Sequence, residues 1–287
     1  MTREPIVLDA HGKHAQRPLF TRDGATLVTC GQDACVRLWS VPAFAPAGVF
    51  EGHQASVNTL SFSPEEDRLA TGSSDGTVRI WSFPGGREMG LLEGQVAAAY
   101  APAGGLLATI STKGRAVLWD ANLDELPPLP LLDRRLFSLA FSSDGALLFA
   151  AGQESVHRVR TKDREKQKEW PGHRTAVTAL ALSPDGSRLA STGAEGTLLV
   201  RGVADGAEAL RVPLGTTGTY QLAWAPGGTR IAVACDHVIQ LRDAAKGTVI
   251  EKIDVGVKGV YGLAFSPDGR FLASAAADGR VRIWNLA

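Results

Sequence analysis

Apolar and polar positions along this chain recur in a single frame, seven times over. The clearest copy, FSPEEDRLATGSSDGTVRIWS at 62–82, returns as FSPDGRFLASAAADGRVRIWN at 265–285 and LSPDGSRLASTGAEGTLLVRG at 182–202. Weaker copies occupy 20–40, 100–120, 141–161 and 224–243. The closing slot of each copy is held by Trp39, Trp81, Trp119, Arg160, Arg201, Arg242 and Trp284, in steps of 42, 38, 41, 41, 41 and 42. From the opening apolar anchor to that slot the distance is 19 residues in every copy but the sixth, where it is 18. Chance does not give seven such intervals, so the chain is an internal repeat.

Each copy reads as β-structure. A turn of Ser-Pro-Asp-Gly type opens it, Pro presetting φ and Gly closing the turn. In the second copy this predicts an apolar strand over Arg68–Thr71, a two-residue hairpin at Asp75-Gly76 and an alternating strand over Thr77–Trp81. Short runs such as Gly48–Phe50 and Thr248–Ile253 predict a fourth strand. Four strands in about 41 residues is the period of a propeller blade. The expectation is an all-β, seven-bladed β-propeller with four antiparallel strands per blade, about 28 strands in all, filling residues 1–287 as one domain. The seventh copy ends after a third strand, and Pro5–Leu8 precedes the first copy. That N-terminal strand is expected to pair into the last blade and close the ring, which protects sheet edges; Pro5 suits an edge.

These residues resemble the WD-repeat β-propeller family over essentially the whole chain. The family's marks are a Gly-His step, a Ser/Thr, an Asp in the hairpin turn and a Trp-Asp-like end. The second copy carries Gly52-His53, Thr71, Asp75 and Trp81, followed by Ser82 where the family prefers Asp. The resemblance implies a hydrogen-bonded network of these side chains inside the blade, because a buried indole N–H and imidazole need partners. By spacing, the first copy offers His11, Thr29, Asp33 and Trp39, and the seventh offers Ser274, Asp278 and Trp284 without the His. The third keeps Thr109 and Trp119 with Lys113 in the Asp slot. The fifth keeps His173 and Ser191 but has Glu195 and Arg201 for Asp and Trp, and Arg160 and Arg242 replace Trp in the fourth and sixth. Weaker networks are therefore expected in blades four to six.

Charge and composition narrow the function. Thirty Lys+Arg balance thirty Asp+Glu, giving zero formal net charge, which argues against a nucleic-acid or membrane-surface binder working through a basic field. Hydrophobic residues make up 44% and charged residues 21%, so a folded chain is expected. The first thirty residues carry Arg3, Glu4, Asp9, Lys13 and Arg17 and no apolar stretch of signal-peptide type. No apolar run approaches the ~18 residues that span a bilayer. Cys30, Cys35 and Cys235 are too few and scattered for a disulfide framework or zinc site, which fits a reduced, cytoplasmic chain. Neither a metal nor a cofactor is expected.

Asp-Gly occurs seven times, but hairpin turns demand it, and no loop has the Asp-x-Asp-x-Asp-Gly pattern of a calcium site. His11-x-x-His14 is a weak ligand pair, and the Gly-x-Ser-x-Gly of a serine hydrolase is absent. The charged run at 162–169 reads as a guarded edge strand. The Pro-rich run at 126–132 stands where an outer strand of the third blade belongs, and reads as a stiff irregular strand or loop whose leucines pack on blade four or dock a partner.

The resemblance implies protein or peptide binding on the face around the channel mouth. Carried over onto this sequence, the positions turned toward that face include His14, Gln16, Asn58, Val96, Arg135, Phe137, Thr178, Tyr220 and Tyr261. Aromatic residues and Arg are the types enriched at binding hot spots. The expected function is a non-enzymatic, monomeric protein–protein interaction scaffold with no nucleic-acid or membrane partner. The alternative is a small-molecule binder or lactonase-like propeller enzyme, which would need several acidic and amide groups at one channel mouth.

Overall fold

The computed structural model describes residues 4–130, 135–215 and 218–287, the side chains of Thr219 and Tyr220 excepted. Among the described residues, 27 strands form seven antiparallel sheets, with no helix long and apolar enough to cross a membrane. Blade one runs Ala15–Phe20, Thr26–Gly31, Val36–Ser40 and Ala45–Phe50 from the axis outward, and the other blades repeat that order. Innermost strands touch their neighbours all the way round, Ala15–Phe20 meeting both Val57–Phe62 and Val260–Phe265. Blade two uses Arg68–Ser73 and Thr77–Ser82, slightly longer than the sequence suggests.

Every second strand is buried on both faces because its two sides pack in different seams. The core divides into seven apolar clusters, each lying between adjacent blades. Between blades one and two, for instance, Val28, Cys30 and Leu38 meet Val57, Leu69 and Trp81. Such side chains contribute about 1.5–3 kcal/mol each when fully buried. Turns between the first and second strands are held by their own polar residues. Thr21, Ser142, Ser183 and Ser266 donate hydroxyl hydrogen bonds of 2.5–2.6 Å to Asp23, Asp144, Asp185 and Asp268. Each carboxylate also accepts the N–H two residues on, so this part of the Asp-Gly series serves turns.

The ring closes as the sequence implies. Ile6–Leu8 pairs antiparallel with Val281–Asn285, in register Ile6↔Ile283, Val7↔Arg282 and Leu8↔Val281. Leu8 is buried in the cluster between blades seven and one, and Arg280 Nε reaches Asp9 Oδ1 at 2.9 Å.

Three local expectations need correction. The hairpin of blade two has three loop residues, Ser74, Asp75 and Gly76, not two. Gly76 takes φ +84° and its N–H donates to Ser73 O at 3.2 Å, a turn followed by one left-handed residue. The charged run at 162–169 is not a strand. Only Lys166 bridges Val159, while Arg160 pairs with Asp163 and Glu165, and the outer strand of blade four shrinks to Trp170–Pro171. Among the described residues blade three has three strands plus a single bridge from Trp119 to Glu125. The Pro-rich run that follows sends Leu126 and Leu129 into the seam between blades three and four; Leu131 and Leu132 lie outside the described residues.

Candidate functional site

Two polar arrangements stand out: a chain of side chains threaded through the blades, and the lining of the channel mouth. The first is most complete in blade two. Trp81 Nε1–H donates to Thr71 Oγ1 at 2.8 Å, and His53 Nε2 lies 2.8 Å from the same oxygen. His53 Nδ1 lies 2.8 Å from Asp75 Oδ2. A carboxylate only accepts, so Nδ1 carries the proton and Nε2 accepts from the Thr71 hydroxyl. The strand register sets this up: Leu69 faces Trp81 and Thr71 faces Arg79, which brings Thr71 beneath the indole. Blade one repeats the pattern with His11, Asp33, Thr29 and Trp39 at 2.8, 3.1 and 3.0 Å. Blade seven keeps the Trp284 bond to Ser274 at 2.9 Å, and Asp278 pairs with Arg282 at 2.7 Å.

Burial holds the His11, His53 and His173 imidazoles below their ordinary pKa, against the pull of their acid partners. Burial alone would raise Asp75. Hydrogen bonds from the Thr77 hydroxyl, the Gln54 N–H and His53 outweigh it and hold the carboxyl well below its usual range. Asp33 and Glu195 are lowered in the same way, burial again being opposed by their partners.

The expected weakness of blades four to six holds only in part. In blade five, Glu195 reaches His173 Nδ1 at 2.7 Å, and His173 Nε2 lies 2.9 Å from Ser191 Oγ. One extra methylene is absorbed by the turn, where the Thr175 hydroxyl donates to the other Glu195 oxygen at 2.5 Å. Only the indole is lost, and Arg201 instead donates to the Pro171 and Gly206 carbonyls. In blade six Arg242 is buried between the Gln240 amide oxygen and the Gly247 carbonyl. Blade four packs Trp170 against Phe149 in a tilted pair, with centroids 5.4 Å apart. In blade three the Thr109 hydroxyl donates to Gln95 Oε1 at 2.7 Å in place of a histidine. The fixed-interval frame had no slot for Gln95 or Trp170.

The second arrangement arises from a recurring irregularity. In blades one, two, three, five and seven one residue near the start of the innermost strand drops out of the ladder, at Gln16, Asn58, Val96, Thr178 and Tyr261, and the ladder of blade six shifts at the same place, between Thr219 and Leu222. A β-bulge re-aims its extra side chain, and all five residues that drop out are positions the sequence assigns to the channel face, with Gln16, Asn58 and Tyr261 the larger polar or aromatic side chains among those at the mouth. These three line one cavity of about 600 Å³ with Arg135 and Phe137. Phe137 is 36% exposed, and the Arg135 guanidinium lies 5.8 Å from its ring centroid. His14 is not among the cavity-lining residues; it stacks on Tyr261 at 5.5 Å. Tyr220 sits on Thr219–Trp224, but its side chain lies outside the described residues.

The cavity also takes in Arg17, which the sequence reading did not single out. Arg17 Nε donates to Asn58 O at 3.2 Å, and the residue also lines a smaller cavity of about 220 Å³ deeper in the channel. A signal was present: Arg17 is the only charged residue in any of the seven innermost strands. Among the described residues, no group of three or more His, Cys, Asp or Glu is placed to hold a metal ion.

A family model for the WD domain, G-beta repeat, matches residues 7–40, 44–82, 164–200 and 253–285. No curated protein matches the chain significantly. The matches fall on blades one, two, five and seven, which keep most of the Trp-Thr-His-Asp chain or its close variants, and the unmatched stretches carry the departures described above. With four repeats matched and all seven blades closed into one ring, the chain belongs to the WD-repeat β-propeller family.

Proposed function

We propose that this chain is a non-enzymatic interaction scaffold that holds a protein or peptide partner on the face around its central channel. One observation carries the reading: residues from four separate blades, Gln16, Asn58, Arg135, Phe137 and Tyr261, converge on a single cavity at the channel mouth. An aromatic and arginine cluster with small polar neighbours is the composition of a binding hot spot. Propellers of this family generally serve as interaction scaffolds. A lactone-processing or other small-molecule enzyme would need acidic ligands there, and among the described residues neither Asp nor Glu lines the cavity. A neutral chain of this kind has no reason to favour nucleic acid or a membrane surface.

The test is to purify partners with the wild-type chain, identify them by mass spectrometry, and measure each against a Phe137→Ala, Tyr220→Ala, Tyr261→Ala variant. The variant should melt as the wild type does and lose at least one partner by tenfold or more. A folded variant that retains every partner refutes the reading.

A further inference from the structure

The described lining of the channel-mouth cavity carries charge of one sign although the chain as a whole is neutral. Among the described residues that cavity is lined by two charged residues, Arg17 at the innermost strand of blade one and Arg135 at the entry to blade four, and by no carboxylate. Around the axis the seven innermost strands contribute no other charge. Arg17, Thr59, Ala97 and Phe137 line both the mouth and the smaller cavity beneath it, so a cation and an aromatic ring stand where the two cavities meet.

Both arginines are held in place by backbone packing. A Cβ on Gly262 would come within 2.9 Å of Arg17 Cα, so the last blade's inner strand lies directly against the Arg17 strand. A Cβ on Gly114 would likewise stand 2.9 Å from Arg135 Cα, and Leu136 N–H donates to Gly114 O at 3.0 Å. Arg135 is thereby fixed to the blade-three hairpin. Burial lowers the pKa of Arg17 without bringing it near neutrality, since an arginine stays charged in proteins.

We infer that this cavity recognises an acidic peptide segment, with Asp or Glu carboxylates meeting Arg17 and Arg135 and an apolar neighbour resting on Phe137. The inference rests on the proposed use of this face and names the chemistry of its occupant. Charge complementarity is the argument for that occupant. A guanidinium in a partly desolvated site forms a forked, charge-assisted bond with a carboxylate, and the aromatic edge of the site suits the side chains between acids. A peptide is favoured over nucleic acid because the cationic patch is confined to one mouth of an electroneutral disc, with no basic stripe to follow a phosphate backbone.

Random twelve-residue peptides displayed on phage, selected against the immobilised full chain, provide the test. The enriched peptides should carry Asp or Glu at two or more fixed positions. Their affinity, read by fluorescence polarisation, should fall at least tenfold when those acids become Asn or Gln, and by a similar factor on Arg135→Gln. Replacing acids in the peptide leaves the protein untouched, so the test survives even if Arg17→Gln does not fold. Peptides that lose binding on Phe137→Ala but show no acidic preference overturn the inference and leave the face reading standing. If no enriched peptide responds to Phe137→Ala, both fail. Binding restricted to phosphoserine versions of the same peptides, or equal competition by a single-stranded RNA dodecamer, also overturns it.

Discussion

Thr71 is the hub of the blade-two chain, and replacing it by valine isolates what its oxygen contributes. The residue is completely buried, and Val has nearly the same shape, so no cavity term enters. Two groups lose their partner at once: Trp81 Nε1–H, 2.8 Å from Oγ1, and His53 Nε2, also 2.8 Å away. Each buried polar group left unsatisfied costs about 1–3 kcal/mol, so Thr71→Val should cost about 2–4 kcal/mol. In a chain of this size that lowers Tm by about 4–8 °C, at roughly 2 °C per kcal/mol.

Urea unfolding followed by tryptophan fluorescence, with thermal melts beside it, measures the loss. Trp81→Phe and the Thr71→Val, Trp81→Phe pair complete a cycle. If the indole bonds the hydroxyl, the double variant should cost less than the two single costs added, by about 1 kcal/mol. A Thr71→Val loss below about 0.5 kcal/mol, or strict additivity in the cycle, refutes the view that this chain of hydrogen bonds stabilises the blade.

The same geometry fixes a pH dependence. His11, His53 and His173 are held below the ordinary value of 6.5, so the unfolded chain takes up protons first as pH falls. Their contribution is complete above about pH 6.5 and is lost as pH drops through the lowered folded values, with Asp33, Asp75 and Glu195 acting in the same sense at lower pH. Tm should fall from pH 7 to pH 5, and a flat profile there contradicts the assignment. Ring closure predicts that Leu8→Ala, which opens the cluster between blades seven and one, costs about 2–4 kcal/mol. Deleting residues 1–10 should cost more or give aggregate; an unchanged melt of either variant refutes the closure energetics. In blade six, Gln240→Leu should cost about 2–4 kcal/mol by stranding the buried Arg242 guanidinium. Adding Arg242→Met should recover most of it in urea unfolding, and a double variant less stable than the single one refutes the pairing.

What the sequence makes legible follows from where each contact is specified. Trp81 and Thr71 lie ten residues apart across one hairpin, and His53 lies 18 residues before Thr71, so repeated intervals expose the whole chain of bonds. Glu195 shows how far a slot tolerates change, since a longer acid still reaches its histidine. Gln95 escapes because it approaches Thr109 from within the inner strand, 14 residues away, where among the described side chains no other blade places a partner. Trp170 escapes because the outer strand of blade four has only two residues and no pattern to read.

The channel mouth depends on a different kind of information. Polar side chains at Gln16 and Asn58 near the start of short strands look like ordinary outward positions in a period-two pattern. The bulge breaks that period by one residue, and with no glycine or proline at the break nothing in the alternation marks it. The shift recurs at the same place in six blades, and Gln16, Asn58, Val96 and Tyr261 among the shifted residues line the cavity at the mouth. Once the ring is granted, neighbours on the inner circle stand about one repeat apart: Arg17 donates to Asn58 O, 41 residues on, and Tyr100 N–H to Ser61 Oγ, 39 back. A charge at one such position is therefore a property of the channel as a whole. Arg17 belongs to no motif of the repeat, and with Arg135 it supplies the positive charge among the described residues of the cavity where a partner is proposed to bind.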